Sequence, residues 1–504
     1  MKPDKPYFFQ SFAIVVLSIV AFFIFKQFLP RKIFSEQDIP AENVLIDSMV
    51  IKAIQEIDTT AIVEKDTVPP KKKIKFKKKK GIKYPTETFD GYKGHQHLIA
   101  FYEKLLALEE KNKGSVRIAY FGDSMTDGDL IVQDFRSNFQ ERFGGTGVGF
   151  VNITSESANA RITVKHTFSR NWDAQSYINT QKPTSPFGVN GHVFFTKHDT
   201  VKPIWVNYKA GYQAGLNWLQ KPTLFYGKSN NKEAEIEVFT KNDTIIKKLT
   251  PEKVLNTLTL SQESLKEFKA QFIAADSIPF YGFNFDDGKG VHVDNFSSRG
   301  NSGLPISIFN TRLMRAFDEK LGYDLIVLHY GTNVLNYGSY NYGWYTKRMG
   351  RVVQHIRECF PNADILIIST ADKSSKYDME MKTDSAVVPL TLAQKRYAVE
   401  QEAAFVNLYL LMGGENSMVE WVEQEKPLAN KDYTHFNYRG AKKVAGLVYQ
   451  QLMDGYEEFK KMKKESEKGT KPKGLTKASS VKKTDSLKPA DSLSHKKDTI
   501  INGY

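Results

Sequence analysis

The sequence has very little cysteine. Cys359 is the only one among 504 residues, so no disulfide can form within the chain and a metal site built from cysteine ligands is not expected. Histidine offers no alternative ligand set, because His166, His192, His198 and His292 lack the spacing typical of a metal site. The sequence therefore predicts neither a bound metal nor another cofactor.

Long apolar runs are also scarce, which makes the one at the N-terminus informative. Residues 7–25 read YFFQSFAIVVLSIVAFFIF, which is long enough to cross a bilayer as a helix. A cleaved signal peptide usually has a shorter run and a small-residue cleavage site, and a buried core helix usually keeps a polar face. We expect an uncleaved membrane anchor over 1–32.

The charges flanking this run leave its orientation open. Lys2 and Lys5 precede it, and Lys26, Arg31 and Lys32 follow it. Positive residues prefer the cytoplasmic side, so the count slightly favours a cytoplasmic domain. The function considered below favours the outside, and we follow that expectation.

The net charge of +14 lies largely in the flanking segments. Residues 33–90, including the basic block KKKIKFKKKK, are predicted to be a disordered linker, and the Lys/Ser-rich residues 459–504 a disordered tail. The basic block could instead bind anionic lipid headgroups or an acidic wall polymer. No aromatic-studded basic surface or zinc-finger spacing accompanies it, so no nucleic-acid partner is predicted.

The central residues change pattern twice and show no internal repeat. Residues 91–154 read as helix, buried strand and helix, which begins an α/β domain. Residues 155–290 contain short strand-like runs separated by turns and predict an inserted β-sandwich. Residues 291–458 return to alternating strands and helices, with an apolar strand at 324–330 typical of a parallel sheet.

Polar residues that could carry chemistry follow two of these strands. Ser124 comes just after the strand that ends at Gly122, where ligands bind in open parallel sheets. Asn333 stands in the same relation to the strand 324–330, and its amide could donate to a developing oxyanion. Taken singly, Asp123-Ser124 could merely cap a helix, and Gly331-Thr332-Asn333 could be only a turn.

The loop before the last helix supplies an acid–base pair. A serine hydroxyl needs a base, and His435 is suitable because its ordinary pKa lies near neutral pH. Asp432 could accept the other imidazole N–H and fix the ring. An Asx turn in a surface loop is the alternative interpretation of this segment. No Gly-x-Ser-x-Gly surrounds Ser124, which argues against an α/β-hydrolase elbow.

Together these segments resemble the SGNH, or GDSL, hydrolase superfamily, of which the motifs Gly-Asp-Ser, Gly-x-Asn and Asp-x-x-His are typical. The resemblance implies a flavodoxin-like three-layer α/β/α domain. Met125 and Val334 depart from common family residues without removing a catalytic atom. The implied roles are nucleophile for Ser124, oxyanion donors for Gly300 (Gly303 being the second candidate) and Asn333, base for His435, and orienting acid for Asp432.

The layout is similar to that of Ape-type peptidoglycan O-acetylesterases, with a carbohydrate-binding-module-like sandwich between the first two motifs. This resemblance implies a membrane-anchored, periplasmic serine esterase that removes O-acetyl groups from an acetylated cell-envelope polysaccharide, with peptidoglycan as the first choice. An O-acyltransferase with the same site and a non-catalytic wall-binding scaffold are the alternatives. Substrate-binding residues and oligomeric state stay open. Sugar-stacking candidates in the sandwich, each of which could equally be core, are Trp172, Trp205, Tyr208, Tyr212 and Trp218.

Overall fold

The computed structural model describes residues 12–13, 15–18, 48–55, 73–197, 202–213, 215–335 and 340–470. Most of the predicted anchor over 7–25 lies outside these ranges. Within them, no helix is both long enough and apolar enough to cross a membrane.

The N-terminal described elements pack on the folded domain. They are helix α1 (Ser48–Gln55) and the antiparallel strands β1 (Lys73–Ile74) and β2 (Glu87–Thr88). Phe76, Ile82, Tyr84 and Phe89 are buried. The predicted linker is therefore wrong over 73–90: apolar side chains placed between the lysines give this segment a buried side, which its average composition conceals.

The first part of the α/β domain supplies one internal strand of its sheet. A 3-10 turn at His95–Leu98 leads into α2 (Ile99–Lys111), which is followed by β3 (Ser115–Gly122), α3 (Val132–Phe143) and β4 (Gly149–Val151). β3 is buried along nearly its whole length, as a strand covered on both faces must be.

Two antiparallel sheets follow and form the predicted sandwich. Its strands are β5 (Val164–Phe168), β6 (Trp172–Ser176), β7 (His192–Thr196), β8 (Ile204–Ala210), β9 (Thr223–Gly227), β10 (Glu235–Phe239), β11 (Thr244–Lys248), β12 (Leu255–Thr259), β13 (Glu267–Ile273) and β14 (Phe280–Phe285). One sheet has the order β11-β10-β13-β8-β5. The other has β12-β9-β14-β7-β6, with β4 paired to β14.

The chain then completes the α/β domain. The remaining elements are β15 (Gly290–Ser297), α4 (Thr311–Leu321), β16 (Leu325–His329), α5 (Gly343–Cys359), β17 (Asp364–Ile368), the hairpin β18 (Ser374–Tyr377) and β19 (Glu380–Thr383), α6 (Val387–Glu400), β20 (Ala404–Val406), α7 (Leu408–Met412), α8 (Ser417–Glu423) and α9 (Tyr438–Thr470).

The last helix corrects the predicted C-terminal boundary. The disordered tail was expected from residue 459, but α9 runs on to Thr470. Phe459 is fully buried and Lys460 pairs with Glu109, so the first residues of the expected tail belong to a packed helix. Residues 471–504 lie outside the described ranges.

The central sheet is parallel and has the order β15-β3-β16-β17-β20. Counted along the chain within this sheet, the order is 2-1-3-4-5, which is the flavodoxin-like arrangement. The predicted α/β class with a flavodoxin-like sheet is thereby confirmed. In such sheets ligands bind beyond the carboxyl ends of the two strands where the order reverses, which here are β3 and β16.

Candidate active site

The nucleophile candidate follows β3 at this reversal point. Gly122 ends the strand, and a Cβ there would lie 2.1 Å from Thr126 Oγ1, so the turn requires glycine. The buried carboxylate of Asp123 accepts from the Met125 N–H at 2.9 Å. Burial raises the pKa of Asp123 to about 6, and this hydrogen bond and the nearby His435 oppose that rise. The turn holds Ser124 half-buried at the carboxyl edge of the sheet.

The structure brings Ser124, His435 and Asp432 together. Ser124 Oγ lies 2.9 Å from His435 Nε2, across 311 residues of sequence. Asp432 Oδ2 lies 2.8 Å from His435 Nδ1. Because a carboxylate only accepts, Nδ1 carries the proton and Nε2 is left to accept from the serine. This is the relay that a serine nucleophile needs.

Backbone hydrogen bonds within its own loop hold the Asp432 carboxylate in position for its contact with His435. The same carboxylate accepts from the backbone N–H groups of Thr434 and His435 at 3.1 and 3.0 Å. Burial alone would raise the pKa of Asp432, but these N–H groups and the His435 ring outweigh it, so the pKa lies below its ordinary value. Asp432 therefore stays ionised and fixes the orientation of the ring.

Both predicted oxyanion donors line the same cleft. The cleft has a volume of about 340 Å³, and Ser124, Gly300, Asn333, Asp432 and His435 all contribute to its wall. Asn333 is almost fully buried in the turn after β16. Gly300 has a φ of 78°, a left-handed conformation that favours glycine. Gly303, the second candidate, is not among the residues that line the cleft.

A contact from the sandwich supports the Gly300 turn. The side-chain amide of Asn301 donates to Tyr177 Oη at 2.9 Å and to Tyr330 Oη at 3.3 Å. Tyr177 follows strand β6, and its ring stacks on Phe309 with a centroid separation of 5.7 Å. A residue of the insert thus holds the neighbour of a proposed oxyanion donor.

Sequence reasoning missed four polar residues in and around the cleft. Arg299 and Asn430 line it, and Arg299 Nε donates to Asp127 Oδ2 at 2.6 Å. Ser157 Oγ donates to the other oxygen of Asp127 at 2.6 Å. The position of Arg299 next to Gly300 was the signal available in the sequence. The Asp127–Ser157 contact is made by the tertiary fold and leaves no local pattern.

Three of the four histidines considered above, His166, His192 and His292, have structural surroundings, while His198 lies outside the described residues. His166 stacks on Tyr208 at 4.5 Å and contacts the Ile153 carbonyl, and burial lowers its pKa to about 3. Burial also lowers the pKa of His192 and His292. Nowhere in the described part of the chain do three or more His, Cys, Asp or Glu side chains come together as a metal site would require.

The aromatic candidates of the sandwich divide into core and surface. Trp172 and Tyr208 are buried, so for them the core interpretation is correct. Trp205 is half-buried, while Tyr212 and Trp218 are exposed. A lysine side chain lies over each exposed ring in a cation–π contact. Lys266 Nζ lies 3.8 Å from the Trp218 ring centroid, and Lys165 Nζ lies 5.8 Å from the Tyr212 ring centroid.

Comparison with known proteins supports the fold. No family model matches the chain, and no curated protein matches it. Among solved structures it is similar to a peptidoglycan O-acetylesterase, with a TM-score of 0.59, 21% identity, and coverage of 71% of this chain and 96% of that chain. The chain therefore shares the fold of that solved structure, which agrees with the flavodoxin-like central sheet described above.

Two further structures are more distant. A family two carbohydrate esterase from Cellvibrio japonicus has a TM-score of 0.23, 10% identity and coverage of 58% of this chain and 99% of that chain. A carbohydrate esterase family 2 enzyme with a carbohydrate binding domain, from Corynascus thermopiles (Myceliophthora fergusii), has a TM-score of 0.24, 12% identity and coverage of 50% and 94%. At these TM-scores neither adds to the fold assignment.

Proposed function

We propose that this protein is an SGNH-type serine esterase that removes O-acetyl groups from a cell-envelope polysaccharide, with peptidoglycan as its substrate. The observation that carries the proposal is the unbroken chain from Ser124 through His435 to Asp432, with separations of 2.9 and 2.8 Å, in a cleft that Gly300 and Asn333 also line. The similarity to a solved peptidoglycan O-acetylesterase supports the choice of polymer.

Acylation begins with Ser124. As its Oγ attacks the ester carbonyl, the hydroxyl proton passes to His435 Nε2, and Asp432 stabilises the imidazolium that results. The carbonyl oxygen becomes an oxyanion, which the backbone N–H of Gly300 and the side-chain amide of Asn333 stabilise. The intermediate collapses by breaking the bond to the sugar oxygen. That oxygen leaves with the proton from His435, and the acetyl group stays on Ser124.

Deacylation repeats the sequence with water. His435 takes a proton from a water molecule as its oxygen attacks the acyl carbon, and the same two donors stabilise the second oxyanion. Ser124 leaves with the proton, and acetate is released. If a sugar hydroxyl enters in place of water, the same site transfers the acyl group, so acceptor choice separates an esterase from an acyltransferase.

We further propose that residues 1–32 anchor the protein in a membrane with the catalytic domain on the periplasmic side. An acetylated wall polymer is reachable only from that side. The apolar run at 7–25 supports this proposal because it is long enough to span a bilayer as a helix.

The test is acetate release from O-acetylated peptidoglycan by the full chain and by its Ser124→Ala variant. We expect release by the wild type and a loss of about 10⁴-fold or more in the variant. Ser229→Ala, in a sandwich loop, is the matched control and should behave as wild type. A folded wild type that cleaves neither the polymer nor a small acetyl ester contradicts the proposal. Cleavage of the small ester alone keeps the site and rejects the polymer or the direction of transfer.

A further inference from the structure

Two segments far apart in sequence form one basic surface. All seven lysines between residues 73 and 83 are exposed. The end of α9 lies beside them, because Ser466 Oγ donates to the Gly81 carbonyl at 3.3 Å and Tyr84 Oη contacts the Gly455 carbonyl at 3.5 Å. α9 adds the exposed Lys461 and Lys464. We call these lysines and their supporting segments, 73–83 and 461–467, the basic surface.

Acidic groups offset only part of this charge. Lys79 lies 3.9 Å from Asp364, and Lys80 pairs with Glu103. Glu465 and Glu467 project from the same stretch of α9. The lysines outnumber these four carboxylates by more than two to one, so the surface keeps a positive charge.

The basic surface lies at the end of the central sheet opposite to the cleft. Asp364 is the first residue of β17, and its carboxylate also accepts from the Phe101 N–H of α2 at 2.9 Å. Asp324, which precedes β16, pairs with Lys104 of the same helix. α2 therefore crosses the amino ends of the strands. Segment 73–83 packs against α2 through Glu103 and against the preceding 3-10 turn through Gln96. Ser124 and Asn333 follow the carboxyl ends.

The length of helix α9 gives an estimate of the distance between the basic surface and the cleft. It begins three residues after His435 and ends in the basic surface. Arg439, in its first turn, and Glu465 are both exposed and are 26 residues apart, which corresponds to about 39 Å at 1.5 Å per residue.

We propose that the basic surface docks on an anionic phospholipid membrane, so that the catalytic cleft opens away from the bilayer. One observation selects lipid headgroups over a polymeric substrate: a surface that guided substrate would adjoin the cleft, whereas this one lies at the far end of the domain. Clustered lysines in a chain with an apolar anchor are typical of segments that bind anionic headgroups, and the sequence predicts such an anchor over 1–32.

The docked orientation fixes how far the cleft stands from the membrane surface. With the amino edge of the sheet on the headgroups, the cleft stands roughly 40 Å above the bilayer, from the length of α9. The proposal depends on the placement of charge and is independent of the esterase chemistry.

The experiment compares two dye positions on one helix. Cys359 is fully buried, and burial raises its pKa to about 11, so a dye reacts selectively with an introduced surface cysteine. The full chain carrying Glu465→Cys or Arg439→Cys is reconstituted into phosphatidylcholine vesicles with or without phosphatidylglycerol, and quenching by a headgroup nitroxide is measured. We expect strong quenching for Glu465→Cys only, increased by phosphatidylglycerol and reduced by salt.

Charge reversal provides the matched control. Lys77→Glu, Lys78→Glu, Lys461→Glu and Lys464→Glu together should return the quenching to its phosphatidylcholine level, because each lysine contributes about fivefold to attraction by an anionic surface. Reversal of four exposed sandwich lysines, at 228, 232, 241 and 253, should have no effect. Thermal unfolding checks that both quadruple variants fold.

Two results overturn the proposal. Quenching that is equal at both dye positions, or unaffected by phosphatidylglycerol, means that the surface does not face the membrane. If reversal at 77, 78, 461 and 464 leaves lipid-dependent quenching intact but abolishes binding to single-stranded DNA or an acidic wall polymer, the surface recognises a polyanion instead.

Discussion

The central parallel sheet and one sheet of the sandwich, the one that contains β8 and β10, bury their strands differently. β16 is buried at every position, whereas β8 and β10 alternate between buried and partly exposed side chains. A strand covered on both faces has polar groups to offer only at its ends, and the cleft lies at such an end. A strand covered on one face offers side chains along its whole length, as Trp205 and Asn207 do beside Lys269. One region therefore forms a concave site and the other a broad face.

The largest expected effect on stability comes from disrupting the hydrogen bonds that connect the α/β domain to the sandwich. Asp129, beyond the nucleophile turn, receives hydrogen bonds from Arg136 at 2.9 and 3.0 Å and from Thr163, at the entry to the sandwich, at 2.7 Å. Asp129→Asn leaves buried arginine charge uncompensated and should lower the free energy of unfolding by about 3–5 kcal/mol. Denaturant-induced unfolding measures this free energy. As a control, Glu267→Gln, in the exposed pair with Lys209, should change the free energy of unfolding by less than about 1 kcal/mol.

The same pair has a defined pH dependence. Burial raises the pKa of Asp129, but Arg136 and Arg161 lower it by more, so the folded pKa lies below 3.8. The carboxylate therefore stabilises the fold fully above the unfolded pKa, and this contribution is lost as the pH falls below 3.8. The stability difference between wild type and Asp129→Asn should shrink on acidification from neutral pH. A difference that grows would contradict the assignment.

The second effect tests whether turnover belongs to the cleft alone. Asn333→Ala should lower kcat on a small acetyl ester by about 10²–10³-fold, because one oxyanion donor is removed, with little change in KM. Trp218→Ala in the sandwich should leave kcat unchanged. Steady-state kinetics on both variants give the test. A rise in KM with kcat unchanged for Asn333→Ala would assign Asn333 to substrate binding instead.

A smaller effect is expected where the sandwich touches the cleft. Tyr177→Phe keeps the stack on Phe309 but removes the oxygen that Asn301 contacts. We expect kcat to fall by up to about tenfold, the equivalent of one hydrogen bond, with an unaltered KM. Tyr212→Phe, on the exposed face, is the matched control. A change confined to stability would show that Tyr177 has no positioning role.

The smallest effect concerns the broad face. Trp218→Ala should raise KM for an acetylated polymer by about two- to fivefold, as expected for one exposed ring, while KM for a small ester is unchanged. Turnover of both substrates by one preparation gives the comparison. An equal change for both substrates would mean that the ring acts through the fold.

The sequence was informative where local chemistry is self-contained. Gly122, Ser124 and the Asp432-to-His435 loop each carry a short motif, and the apolar strand at 324–330 reveals a buried parallel strand, so the sheet and the relay could be predicted. Contacts between distant segments could not. Tyr177 and Asn301, or Ser157 and Asp127, meet only in the folded chain. The lysines before residue 84 concealed a packed segment because composition averages over the alternation of Phe76 and Ile82 with lysine.

The pairing of β15 with β3 also constrains the order in which the chain can fold during translation. These strands are neighbours in register from Ser115 to Gly122, yet β15 begins at Gly290. At roughly 5–20 residues per second, a ribosome needs about 10–30 s to make the chain between them. Throughout that interval neither side of β3 has its neighbour in the sheet, because β16 on the other side is made later still. The sandwich is complete in sequence before β15 appears, so a nascent chain can finish its insert first and close its catalytic sheet afterwards.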